Sequence, residues 1–143
     1  MESLFKIKIN AKGGHAALPH MGVDAIIVGT EIVQSLQTIV SRKLNPSLNG
    51  VVSVTEFITD GRRNVLPGNA TLKGDARALS PEVNETIESR MRQIVAGISS
   101  AHGINAEVHY DTLLPSVLNT TAPVIAAQCA ASTIVGSAGV DAD

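Results

Sequence analysis

The chain opens with a pattern of period two: Phe5, Ile7 and Ile9 are separated by single polar residues. This alternation predicts a strand with one buried face. After a Gly-rich segment over residues 12–22, apolar residues recur at helical spacing over residues 23–45, which predicts a helix. The apolar set of this helix is wider than one core-facing stripe requires. We therefore expect a second apolar face that packs against a partner subunit.

Three more strands and one more helix follow in the pattern. Residues 51–58 are rich in β-branched side chains and 69–79 alternate small or apolar with polar ones, so both predict strands. Ser80-Pro81 has the chemistry of a helix start, and the helical spacing continues to about His102-Gly103. Residues 106–110 alternate as a fourth strand. This order predicts an α+β, ferredoxin-like βαββαβ fold, with a four-stranded antiparallel sheet and two helices on one face.

The end of the chain has a different character. We expect one domain over residues 3–114 and a C-terminal helical extension over residues 115–143. Residues 122–138 are rich in Ala and Ser and could form a helix, but they offer few large side chains to bury. The C-terminal residues 136–143 show little pattern of secondary structure and are expected to be disordered.

Composition narrows the possible functions. The 143 residues fit one domain, and with no Trp, one Tyr and two Phe the core must be aliphatic. A net charge of -2 with scattered Lys and Arg disfavours nucleic acid as a partner. Cys129 is the only cysteine, which excludes an internal disulfide and fits a reducing, cytoplasmic setting. No segment is typical of a signal peptide or a membrane span, so we expect no membrane partner.

The segment from Gly13-Gly14-His15 to Pro19-His20 concentrates glycines, histidines and a proline between a strand and a helix. Loops of this kind often hold sites. On residue types alone His15, His20 and Asp24 could bind a metal, but no Glu or Cys stands nearby to complete a ligand shell. A phosphate cradle is disfavoured because the Lys-Ser or Lys-Thr ending and the spaced glycines of such loops are missing. Neither alternative is the favoured interpretation.

A second cluster spans residues 60–67, with Arg77 thirteen residues after Asn64. In isolation it is typical of a solvated turn. Together with the first cluster, His15 in Gly-Gly-His-Ala, Asn64 before Val-Leu-Pro and Arg77 in Gly-Asp-Ala-Arg resemble the lid domain of the dimetal aminoacylase and carboxypeptidase family. The resemblance covers about residues 4–118. It is strongest to the branch of hippurate hydrolases, bacterial N-acyl-amino-acid amidohydrolases and plant auxin-conjugate hydrolases.

The resemblance implies a role for each matching residue. His15 corresponds to the histidine that hydrogen-bonds the scissile carbonyl and stabilises the oxyanion, in some dimers at the neighbouring subunit's active site. Asn64 corresponds to an asparagine at the same end of the substrate, and Arg77 to the arginine that pairs with the substrate carboxylate. We expect these three residues to line a common open surface. Gly13 and Gly14 are expected to allow a close backbone approach, and His20 to serve loop structure with its ring bonded to a backbone group.

The resemblance also implies what lies outside this chain. Two divalent metal ions, zinc or manganese, are expected in a separate catalytic domain that holds all their ligands, so no cofactor and no metal site is expected here. We expect a homodimer through the first helix and second strand, with an N-acyl amino acid as substrate and an inactive chain in isolation. Residues 115–143 would then begin the return to the catalytic domain. The alternative is a stand-alone ferredoxin-like module for small-molecule binding or assembly.

Overall fold

The computed structural model describes residues 1–140, and it confirms the predicted α+β fold. Four long strands form one antiparallel sheet in the order β3-β5-β1-β6, and α1 and α2 cover one of its faces. The elements are β1 (Glu2–Asn10), β2 (Gly14–His15), α1 (Ala25–Thr38), β3 (Gly50–Thr59), β4 (Val65–Leu66), β5 (Asn69–Ala78), α2 (Pro81–Ala101), β6 (Asn105–Leu114) and α3 (Thr121–Val135). A 3-10 turn (Pro19–Met21) precedes α1, and a π-helical turn (Ile39–Lys43) extends it.

The covered face of the sheet is aliphatic and closely packed, as the pattern predicts. On β5 it carries small residues, and a Cβ added at Gly74 would lie 2.1 Å from the Ser53 carbonyl oxygen and 2.3 Å from the Phe5 ring. A glycine is therefore required where β3 and β5 pass under the ring of Phe5. The buried apolar residues of this core are Phe5, Ile7, Ile9, Ala25, Val28, Ile32, Leu36, Ile39, Val52, Ala70, Leu72, Ala76, Ala78, Val83, Ile87, Met91 and Val95.

Residues with capping side chains define where both long helices begin. Asp24 caps α1, its Oδ1 accepting the Ile26 N–H at 2.8 Å, and Ser80 caps α2 ahead of Pro81. The chain leaves α2 through Gly103, whose positive φ of 66° suits a residue without a side chain.

A buried polar cluster fastens the start of α2 to the sheet. Asn84 Oδ1 accepts hydrogen bonds from Ser3 Oγ at 3.0 Å and from Tyr110 Oη at 2.8 Å. Its Nδ2 donates to Thr112 Oγ1 at 3.1 Å. The side chain of Asn84 therefore joins α2 to β1 and β6, and this connection was not predicted from the sequence.

The C-terminal segment differs from the domain before it. Helix α3 buries none of its residues, while Ile125 and Ile134 are 53% and 85% exposed. Residues 137–139 form a 3-10 turn, and residues 141–143 lie outside the described residues. Disorder over residues 136–143 stays a prediction, as does the domain boundary near residue 114. Over residues 1–140, no helix is long and apolar enough to cross a membrane.

Candidate functional site

Two loops that the sequence places far apart meet beyond one end of the sheet. Strands β2 and β4 pair so that His15 lies opposite Val65, and the Ala16 N–H donates to the Asn64 carbonyl at 3.0 Å. His15 and Asn64 are both exposed. The structure therefore brings these two predicted site residues together through a short two-stranded sheet, which we call the loop sheet.

The Asn64 loop is held by hydrogen bonds of its own. Asp60 Oδ1 accepts from the Asn69 backbone N–H at 3.0 Å and its Oδ2 from Asn69 Nδ2 at 2.7 Å. These bonds, the side-chain one first, lower the pKa of Asp60 below its ordinary value. Within the loop, the backbone groups of Arg62 and Val65 bond to each other at 3.0 and 3.1 Å. Asn64 thus sits in a tight turn whose two ends are fixed.

The two glycines before His15 play different parts. A Cβ on Gly13 would lie 2.6 Å from the Leu66 carbonyl oxygen and 2.7 Å from the Gly68 nitrogen, so only glycine fits there without moving the backbone. A Cβ on Gly14 would meet nothing within 4 Å. The close approach predicted for both glycines therefore has a steric basis at Gly13 alone.

The hydrogen bonding of the His15 ring determines which nitrogen faces outward as a donor. The Ala17 backbone N–H donates to His15 Nδ1 at 3.1 Å, so Nδ1 must carry a lone pair. In the neutral ring the proton then resides on Nε2. His15 is exposed, and its Nε2–H is a donor that can reach an oxygen atom outside the loop.

The remaining polar residues of this loop do not suit a metal. Asp24 uses Oδ1 as the helix cap, and His20 lies exposed in the 3-10 turn, its ring making no hydrogen bond within residues 1–140. Among these residues, the expected bond from the His20 ring to a backbone group is therefore not formed. Across the described residues, no group of three His, Cys, Asp or Glu side chains is arranged to hold a metal ion.

Arg77 lies at the opposite end of the sheet. It is paired in register with Glu2 at the start of β1, whereas the His15 loop follows the end of β1 at Asn10. Eight residues of extended strand separate these ends by roughly 26 Å. The expectation that all three residues line one surface is therefore wrong within a single protomer.

Two carboxylates hold the Arg77 guanidinium. Its Nε donates to Asp75 Oδ2 at 2.7 Å, and its Nη2 lies 3.0 Å from Glu2 Oε1. The hydrogen bond to Asp75 is the main reason that the pKa of Arg77 is raised, and the charges of Asp75 and Glu2 add to it. The side chain is still 49% exposed. It borders a groove of about 780 Å³ whose apolar lining includes Leu79 and Leu114.

Comparison with known proteins identifies the domain. Residues 4–102 match the family model of the peptidase dimerisation domain. The chain belongs to this family. It is 41% identical over 115 residues to the N-acyl-L-amino acid amidohydrolase of Geobacillus stearothermophilus, and 36% identical over 115 residues to the N-acetylcysteine deacetylase of Bacillus subtilis. Each alignment covers 80% of this chain, and respectively 31% and 30% of the relative.

A solved structure also resembles this peptidase dimerisation domain. An aminohydrolase candidate from methicillin-resistant Staphylococcus aureus superposes with a TM-score of 0.84 at 34% identity, covering 92% of this chain and 36% of that one. The predicted family is therefore confirmed. The chain spans about a third of the length of these relatives and of the solved chain it matches.

Sequence reasoning missed three residues that hold the candidate site: Glu2, Asp75 and Asp60. Asp75 could have been found, because residues two apart in a strand share a face and it stands two before Arg77. Glu2 could not, because its contact depends on the register of β1 against β5. Asp60 follows a strand directly, a place where carboxylates often accept backbone N–H groups.

Proposed function

We propose that this dimerisation domain is the lid of a metal-dependent amidohydrolase that cleaves the amide bond of N-acyl amino acids or related conjugates. The single observation that carries the proposal is the pairing of His15 with Asn64 in a domain of the peptidase dimerisation family. The relatives' names, an N-acyl-L-amino acid amidohydrolase and an N-acetylcysteine deacetylase, support the substrate class. Two divalent metals, zinc or manganese, would be bound by another part of the parent chain, in a cytoplasmic enzyme.

In this proposal His15 acts on the scissile carbonyl. Its exposed Nε2–H can donate to the carbonyl oxygen and to the oxyanion that replaces it during attack. Asn64 lies in the adjacent loop, so its side-chain amide can hold the same end of the substrate. The tight turn and the Asp60 bonds keep these donors in place before substrate arrives.

Arg77 would bind the free carboxylate of the substrate. Asp75 and Glu2 engage its Nε and Nη2, which leaves Nη1 and the second hydrogen of Nη2 for a paired contact with a carboxylate. Because Arg77 and His15 lie at opposite ends of the sheet, they would serve different active sites of a dimer. Arg77 would act on the site of one subunit and His15 on the site of the other.

Complementation tests this division directly. In the longer parent enzyme, His15→Ala and Arg77→Ala should each abolish most hydrolysis of N-acetyl amino acids. If the two residues serve different sites, mixing and reassembling the variants restores one intact site in each mixed dimer, or roughly a quarter of wild-type activity in a statistical mixture. No recovery on mixing would contradict the division. Hydrolysis by this chain alone, with zinc or manganese, would contradict the lid proposal itself.

The dimer is proposed to form through α1 and β3. Five large apolar side chains are exposed there: Ile26 and Ile27 on α1 at 41% and 53%, and Val51, Phe57 and Ile58 on β3 at 48%, 41% and 49%. Phe57 packs against α1 at Gly29, so the strand and the helix present one continuous surface. β3 is an edge strand, and an edge with apolar neighbours is a ready partner for a second copy.

Thr59→Pro tests this surface with little effect on the fold. The Asp60 N–H donates toward β5, to the Asn69 carbonyl, so the N–H of Thr59 points away from β5 to the free edge. Proline there blocks pairing of a second strand without removing a bond to β5. We expect sedimentation to report a monomer for this variant and a dimer for the wild type. A dimer in both would contradict the β3 interface, and affinity of the isolated wild-type chain for a free amino acid would favour the stand-alone binding module.

A further inference from the structure

The second free edge of the sheet, β6, differs from β3 in the state of its outer backbone. The Ala11 N–H donates to the Gly68 carbonyl at 2.7 Å, which continues the ladder between β1 and β5. Odd-numbered residues of β1 therefore direct their backbone groups toward β5. Ile7 is one of them and lies opposite Val108 of β6. The N–H and C=O of Val108 consequently point outward, to the free edge.

Arg92 of α2 occupies this outward carbonyl. Its Nη1 donates to the Val108 oxygen at 2.7 Å, while Nε and Nη2 donate to Glu88 Oε1 at 3.0 and 2.7 Å. Glu88 is one helical turn away, so the ion pair fixes the guanidinium by one side and leaves Nη1 for the strand. The side chain reaches from the helix to the outer edge of β6, and 47% of it is exposed. We call Arg92 with Glu88 the edge clamp.

The clamp obstructs the addition of another strand. A strand that pairs with β6 needs the outward carbonyl of Val108 as an acceptor, and its backbone would occupy the space of the guanidinium. Displacing the guanidinium from the edge would break its charged hydrogen bond to the Val108 oxygen. β6 also carries Glu107 and Asp111, whose charges resist an apolar neighbour, and the polar His109.

Strand β3 has no such obstruction. Within residues 1–140, no side chain donates a hydrogen bond to a carbonyl of β3. The strand itself carries the exposed apolar side chains of Phe57 and Ile58. A sheet with two equally open edges would join copies end to end without closing, whereas one open edge gives a closed pair.

We propose that the Arg92–Glu88 clamp restricts self-association of this domain to the β3 edge, and that without it β6 accepts a strand from a second copy of the chain. The contact is an obstruction to polymerisation, distinct from the residues proposed for substrate binding. It does not depend on the identity of the substrate or of the metals.

Arg92→Ala tests the clamp, with Arg90→Ala as the matched control. Both are arginines of α2, but within residues 1–140 the side chain of Arg90 bonds only to Gln93 Oε1 on the same helix. Sedimentation over a range of concentrations should show a further association step for Arg92→Ala, at concentrations about tenfold below any such step for Arg90→Ala. Infrared absorption of intermolecular β-structure should rise with it. Coinciding profiles for the two variants would overturn the proposal.

Two more variants test the clamp independently of any unfolding caused by Arg92→Ala and of the β3 dimer. Glu88→Gln leaves Arg92 in place but weakens its anchor, so it should cause the same association to a smaller extent, and it replaces Arg92→Ala if that variant loses its far-ultraviolet circular dichroism. In the Thr59→Pro background, Arg92→Ala should restore association through β6. If it does not, the clamp proposal fails although the β3 dimer stands. If Thr59→Pro alone remains dimeric, the β3 proposal fails, and the comparison of Arg92 with Arg90 still decides the clamp.

Discussion

The two faces of the sheet are built on different principles. The face toward α1 and α2 is aliphatic and buried, and it admits so little extra volume that Gly74 could not carry a Cβ. The opposite face carries charged pairs such as Lys73 with Glu56 at 2.8 Å and Arg77 with Asp75 at 2.7 Å, all of them partly exposed. Packing therefore determines stability on one face, while the other face and the loops are free to carry recognition.

The largest loss of stability is expected from a substitution at Gly74, on the buried face of the sheet. Gly74→Ala should lower the free energy of unfolding by about 3 kcal/mol, because the new methyl group meets the Ser53 carbonyl oxygen and backbone must move. Chemical denaturation followed by circular dichroism measures this loss.

Gly97 provides the matched control. It lies exposed in α2 with nothing within 4 Å of an added Cβ, so Gly97→Ala should stabilise the domain by about 1 kcal/mol. Equal effects of the two substitutions would mean that the covered face is not packed as described.

The buried polar cluster around Asn84 is the second place where a substitution should destabilise the covered face. Asn84→Ala removes the acceptor of Tyr110 and Ser3 and the donor to Thr112, so it should cost about 2 kcal/mol of unfolding free energy. Ser89→Ala, at an exposed position of the same helix, should change it by less than about 0.5 kcal/mol. An Asn84→Ala variant as stable as the wild type would show that the cluster contributes nothing to folding.

The covered face could be predicted almost completely from the sequence. Alternation on β1 and β5 and helical spacing on α2 depend only on which residues are apolar, and those residues are buried or partly buried. The strand β6 extends four residues beyond its predicted end, to Leu114, because Thr112 joins the Asn84 cluster and the ladder to β1 continues. The first helix ends at Thr38 and continues as a π-helical turn, a change that the apolar spacing does not reveal.

The candidate site could be predicted only in part. His15, Asn64 and Arg77 stand out as residue types, but no local pattern states that the first two pair through β2 and β4. Nor does spacing along the chain place Arg77 at the other end of the sheet, since that follows from the antiparallel register of β5 with β1. Long-range register and two-residue strands leave no periodic signal.

The ionisation of Tyr110 tests how well the edge of the covered face is buried. Burial raises the pKa of its hydroxyl above the ordinary value of 10.0. Because the pKa of Tyr110 is higher in the folded chain, its protonated hydroxyl contributes fully to folding stability below the unfolded pKa. This contribution is lost as pH rises through the folded pKa. Tyr110 is the only tyrosine and there is no Trp, so ultraviolet absorbance reports its ionisation directly. We expect a higher midpoint in the folded chain than in denaturant, and equal midpoints would contradict the burial of the hydroxyl.

The smallest effect on stability is expected at His15. The ring is exposed and its one described hydrogen bond comes from the Ala17 N–H two residues away, so His15→Ala should change the free energy of unfolding by less than about 0.5 kcal/mol. Gly13→Ala, two residues earlier, should instead destabilise the loop sheet, because its Cβ would meet the Leu66 carbonyl oxygen at 2.6 Å. Thermal unfolding of both variants separates the two roles. A large loss of stability in His15→Ala would make the residue structural, and its proposed part in substrate binding would then lose its support.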